Sequence, residues 1–152
     1  MTTLWVDADA CPGAIRDIVL KAAQRRHISA VFVAHQPLRV RNTRFVRAVV
    51  VSAGFDAADD HIATQVAAGD LVITADIPLA ARVVAAGAVA INPRGTEYTA
   101  ESVQSHLAKR NLLTELREQG VVRGGPAPLG PREIQAFANS LDRHLTRLVS
   151  AN

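Results

Sequence analysis

Apolar positions along the chain fall into two kinds of stretch. Short solid runs occur at TLWV (3–6), AVFVA (30–34), FVRAVVV (45–51), LVIT (71–74) and AVAI (88–91). Runs of this length, rich in Val, Ile and Ala and bounded by polar or turn-forming residues, predict strands covered on both faces. Between them the spacing lengthens to a helical one. Ile15, Ile18, Val19 and Ala22 recur behind Pro12, which suits the first turn of a helix, so 12–26 is expected to be helical. DAADDHIATQVAAG (56–69) predicts a second helix with Ile62 and Val66 inward. PLAARVVAAG (78–87) predicts a third, with Pro78 in its first turn and Gly87 at its end. HQPLRVRNTR (35–44) reads as a polar, basic loop, with Pro37 against regular structure.

Strands that alternate with helices in this way define an α/β domain whose parallel sheet is covered on both faces. Beyond Asn92 the pattern changes. NPRG (92–95) is a turn, and Thr99 caps a helix running to about residue 110. LLTELREQ continues it after a bend, and 120–131 is a loop rich in Gly and Pro. Pro131 opens a last helix with Ile134, Phe137, Leu141, Leu145 and Leu148 on one face. No internal repeat is visible. A single domain over 1–152 is expected, with a C-terminal helical extension at about 99–149 packed on the same core.

Composition narrows the class. A chain of 152 residues can bury a sizeable core, and an apolar share of 49% argues against disorder. Cys11 is the only cysteine, which rules out an internal disulfide and any thiolate-cluster metal site. No stretch approaches the roughly 20 apolar residues of a membrane span. The chain opens directly on a strand-like run, so a cytoplasmic protein without a signal peptide is expected. A homo-oligomer stays open.

Charge is more telling in its distribution than in its net +3. Lys21, Arg25, Arg26, Arg39, Arg41, Arg44 and Arg47 lie in a stretch with no acid between Asp17 and Asp56. From Ala48 to Ala81 the sign reverses, with Asp56, Asp59, Asp60, Asp70 and Asp76 and no base. A phosphate-attracting surface beside a cation-binding cleft would look like this, and so would two unrelated solvated faces.

In open parallel sheets, ligands bind at the carboxyl ends of the strands where the strand order reverses. Asp7 and Asp9 follow the first strand and Asp76 follows the fourth, so the acids converge if these strands are neighbours. Asp59 lies three residues before Ile62 and shares its helix face, and Asp56 lies near that helix's start, where it could equally be a cap. Crowded carboxylates call for a hard divalent cation, and Asp7, Asp9, Asp56, Asp59 and Asp76 are the candidate ligands. Asp60 is expected in solvent and Asp70 in a turn. His35, His61 and His106 share no ligand spacing. Trp5 and Cys11 read as packed residues.

WVDADACP, GFDAADDHI, GDLVITADIPLA, NPRG and GGP together resemble the bacterial YaiI/YqxD family, an uncharacterised group with a PIN-like nuclease fold, over about residues 3–145. The resemblance implies a three-layer domain with a parallel five-stranded sheet of order 3-2-1-4-5. It also implies a Mg²⁺- or Mn²⁺-dependent phosphodiesterase site at Asp7, Asp59 and Asp76. PIN domains usually carry a fourth acid on an earlier helix. That position has none here, and Asp9 or Asp56 are its possible substitutes.

The leading expectation is therefore a metal-dependent nuclease acting on RNA rather than DNA. Arg39, Arg41, Arg44 and Arg47 would contact phosphates, on one face if alternate residues lie on a strand, and Arg94 and Arg123 would add contacts from loops. One alternative is a non-catalytic nucleic-acid- or nucleotide-binding module with a degenerate site. Another is a phosphatase of the haloacid dehalogenase type. For that class DADAC lacks the usual Thr, and the only lysines are Lys21 and Lys109.

Overall fold

A computed structural model defines residues 1–52, 54, 56–120 and 128–151. Among these described residues, six strands form one sheet: β1 (Thr3–Asp7), β2 (Ser29–Ala34), β3 (Val46–Val50), β4 (Leu71–Ile73), β5 (Val89–Ile91) and β6 (Glu97–Tyr98). Their order is β3-β2-β1-β4-β5-β6. Neighbours from β3 to β5 run parallel, and β6 pairs antiparallel with β5. The sheet is thus mixed and six-stranded, not the five-stranded, all-parallel one expected.

The extra strand comes from the NPRG turn. Asn92 Oδ1 accepts the backbone N–H groups of Arg94 and Thr96 at 2.9 and 3.0 Å, and Gly95 supplies a left-handed φ of 91°. The chain folds back as a hairpin, and a two-residue strand is too short to leave a period in the sequence.

Five α-helices flank the sheet among the described residues: α1 (Gly13–Arg26), α2 (Ala57–Gln65), α3 (Ile77–Ala85), α4 (Ala100–Glu118) and α5 (Pro131–Ala151). Strand residues alternate between two cores. Leu4, Val6, Phe32 and Ile73 pack with Ile15 and Val19 of α1 and Phe137, Leu141 and Leu145 of α5. Trp5, Val31, Val33 and Val72 pack with Ile62 of α2, Leu79 and Val83 of α3 and Val103 of α4.

The bend expected near residue 110 is absent, and α4 runs unbroken from a Thr99–Ser102 capping box. Asn111 is the one poor helix former at that point and does not interrupt it. Between β2 and β3 the chain crosses without a helix, through residues 35–45. Leu38, Val40 and Phe45 of this loop pack against the α1-side core.

Candidate acidic active site

β1 and β4 are adjacent and parallel, with Val6 opposite Ile73, so Asp7 and Thr74 emerge side by side at the carboxyl edge. The Thr74 hydroxyl donates to Asp7 Oδ2 and accepts from the Asp76 backbone N–H, each at 2.9 Å. Asp76 in turn caps α3 by accepting the Leu79 N–H at 2.9 Å. Asp59 sits on α2 one turn ahead of the buried Ile62, which brings it over the same edge. Asp7, Asp9, His35, Asp56, Asp59 and Asp76 all line one cleft of about 450 Å³.

The carboxylates crowd each other. Burial pushes the Asp7 carboxyl above its ordinary range, and Asp76 and Asp9 add to the rise, while the Thr74 hydrogen bond and His35 oppose it. Asp59 is pushed up to about 7, first by desolvation and then by Asp76, Asp7 and Asp56, against the pull of Arg82. Each shift has the same meaning: the fold holds negative charge at a place that disfavours it.

Asp9 and Asp56 differ from this group. Both oxygens of Asp9 accept the His35 backbone N–H, at 3.1 and 3.2 Å, and Oδ2 also meets His35 Nδ1 at 2.5 Å. His35 Nε2 faces the Gly54 carbonyl at 3.1 Å, and these two contacts raise the His35 pKa. His35 shares no ligand spacing with the other histidines in the sequence. Its position directly after β2, the strand beside β1, was the signal that it reaches the same edge. Asp56 precedes α2 in a left-handed conformation (φ 62°), and its side chain makes no cap hydrogen bond. It therefore lines the cleft without the capping role it could have had.

Among the described residues, no three His, Cys, Asp or Glu side chains are gathered tightly enough to form one ligand set. The five candidate acids thus share a cleft but do not converge as a cage. Their chemistry still suits a hard cation, because Mg²⁺ commonly takes one or two carboxylates and completes its shell with water and phosphate oxygens.

Arg39, Arg41 and Arg44 lie in the loop expected over 35–44, so the four arginines do not share a strand face. Only Arg47 lies on a strand, the exposed edge strand β3. Arg39, Arg41 and Arg44 are exposed in the preceding loop, and Arg44 lies 5.5 Å over the Phe45 ring. The strand starts late because Thr43 Oγ1 accepts the N–H groups of Phe45 and Val46. Arg39 borders a hollow with Gly13, Arg16 and Asp17 on the α1 side. Arg94 lines a second hollow that shares Ala10 and Ala75 with the acidic cleft. Arg123, with most of the expected Gly/Pro-rich loop, lies outside the described residues. Among those residues no helix is long and apolar enough to cross a membrane.

Fold and cleft together define an α/β domain that gathers repelling aspartates at the carboxyl edge of a mostly parallel sheet. Residues 5–147 match the family described as "Uncharacterized BCR, YaiI/YqxD family", and the chain belongs to that family. It is 52% identical over 145 residues to a "UPF0178 protein" of Shewanella amazonensis, covering 95% of this chain and 97% of that protein. A "UPF0178 protein" of Halorhodospira halophila is 55% identical over 144 residues, 95% of each chain. One of Geobacter metallireducens is 53% identical over 146 residues, 96% of this chain and 94% of that one. No solved structure matches.

Proposed function

We propose that this protein is a divalent-cation-dependent phosphodiesterase of PIN-like architecture, with RNA as its preferred polymer and Mg²⁺ or Mn²⁺ as its metal. The observation that carries the reading is the crowding of Asp7, Asp59 and Asp76 in one cleft, with the carboxyl groups of Asp7 and Asp59 pushed upward. A stable fold keeps such repulsion where a bound cation relieves it.

In this reading one or two of Asp7, Asp59 and Asp76 would bind the metal directly and the rest would reach it through its waters. Bound there, a divalent cation would supply a water of lowered pKa and offset charge developing on the phosphate. Thr74 fixes the orientation of Asp7, and the α3 cap fixes that of Asp76. His35 fixes the orientation of Asp9. Arg39, Arg41, Arg44 and Arg47 contact the polymer's phosphates without reading its sequence.

A non-catalytic nucleic-acid- or nucleotide-binding module is the second reading. What favours it is that no three acids form a ligand set among the described residues. A phosphatase using Asp7 as nucleophile has less support, since neither Lys21 nor Lys109 lines the cleft.

Incubating the protein with structured and single-stranded RNA and DNA in Mg²⁺ or Mn²⁺ separates these readings. Cleavage by the wild type, reduced at least ~100-fold by Asp7→Asn, is expected for an interaction required in the transition state. Mn²⁺ should raise the melting temperature of the wild type and do so less for Asp7→Asn, because a ligand that binds only the folded state stabilises it. RNA binding without turnover would favour the binding module. A trapped phospho-aspartate would favour the phosphatase.

A further inference from the structure

The hollow beside the acidic cleft has a different chemistry from the cleft itself. It encloses about 340 Å³, at the low end of the roughly 300–1,000 Å³ of small-ligand sites. Ala10, Pro12, Pro93 and Leu129 give it aliphatic walls, and Asn92 and Arg94 bring polar groups. Ala10 and Ala75 border both cavities, so cleft and hollow are neighbours across these two small side chains.

The turn that carries Pro93 and Arg94 is held from several sides. Asn92 Oδ1 pins the backbone of Arg94 and Thr96, and Asn92 Nδ2 donates to Tyr98 Oη at 3.2 Å. Ser140 of α5 donates its hydroxyl to the Gly95 carbonyl at 2.7 Å. A Cβ on Gly95 would lie 2.8 Å from the Ala136 carbonyl oxygen, so turn and helix touch backbone to backbone. Two residues beyond Gly95, Glu97 meets the buried His144 at 3.0 Å. Such a turn is pre-organised: its wall of the hollow needs no ordering when a ligand arrives.

A group that fits both cavities is anionic at one end and flat and weakly polar at the other. We infer that this hollow seats the nucleobase next to the phosphodiester received by the acidic cleft. Aliphatic walls cover the faces of the base, while Asn92 and Arg94 lie within the same hollow as its polar edge. The inference rests on the phosphodiester reading and adds a base subsite to it. Such a site predicts that the protein distinguishes a base-bearing strand from a bare sugar–phosphate chain.

Equilibrium binding decides it, with a fluorescently labelled RNA tetranucleotide and an abasic tetranucleotide of the same backbone, both in Mg²⁺. The wild type should bind the base-bearing strand about 10-fold tighter, the factor that 1.4 kcal/mol of contact supplies. Leu129→Ala and Pro93→Ala each remove part of the wall and should shrink that ratio toward one while leaving abasic binding in place. Melting temperatures check that both variants fold, and either variant alone carries the test. Equal binding of the two strands by the wild type, or a ratio unchanged in both variants, would overturn the base subsite and leave the phosphodiester reading standing. Binding of neither strand would overturn the nucleic-acid reading and the subsite with it.

Discussion

Asp70, just ahead of β4, and Asp7, at the end of β1, lie at opposite edges of the sheet and are both buried, with 4% and 8% of their surface exposed. The two carboxylates have opposite surroundings. Asp70 accepts N–H groups from Thr3, Trp5 and Ala67 at 3.0, 3.0 and 2.9 Å, tying β1 to the turn that leads into β4. Asp7 accepts one hydroxyl, from Thr74, and is repelled by Asp76 and Asp9. Burial therefore does not tell these two acids apart. What separates them is whether the surroundings donate to the charge or oppose it.

The contrast is tested most strongly at Asp70. Asp70→Ala leaves three N–H donors without their acceptor, and a buried unsatisfied donor costs roughly 1–3 kcal/mol. A loss of about 3 kcal/mol or more in urea unfolding is expected. A loss below about 1 kcal/mol would remove the structural half of the comparison.

Asp59→Asn should act in the opposite direction. With its carboxyl raised from 3.8 to about 7, the folded state binds more protons than the unfolded state between those values. Stability of the metal-free protein then falls as pH rises through that window and levels off above it. At pH 8 in EDTA, Asp59→Asn is expected to gain about 1 kcal/mol, the scale on which active-site residues trade stability for function, and to flatten the decline. A variant that melts lower than wild type at pH 8 would mean that Asp59 stabilises the fold.

The smallest effect belongs to Asp60, the neighbour of Asp59. It pairs with Arg82 at 2.7 Å, with more than half of its side chain in solvent. Exposed pairs contribute about 0–1 kcal/mol, so Asp60→Asn should shift thermal stability by less than about 0.5 kcal/mol at any pH. A larger shift would show that charge on α2 acts on the fold wherever it sits, and the distinction between neighbouring acids would blur.

Much of this arrangement was legible in the sequence. Solid apolar runs marked β1 to β5, because buried strands need no alternation. Asp59 could be placed by its helical spacing from Ile62, and Asp76 by its position after LVIT. Other features could not be read, because they depend on partners distant in the chain. Asp70 looked like a turn residue, and its hub role needs Trp5, 65 positions away. Asp9 looked like Asp7 until β2 brought His35 against it. The loop over 35–44 was legible, but the first residue of β3 was not, for a local reason: side chains of Thr43 and Asn42 take up backbone N–H groups where the strand begins.

The chain's single tryptophan, Trp5, gives these events an optical readout. Its indole N–H is anchored to Asp70, and its ring lies edge-on to His61 of α2 with centroids 6.3 Å apart. Indole emission depends on what is packed against the ring, and His61 is in that contact. α2 carries both His61 and Asp59, so a shift of this helix toward or away from the sheet changes Trp5 emission. A cation drawn in by Asp59 would thus announce itself in the protein's own fluorescence, with no dye attached.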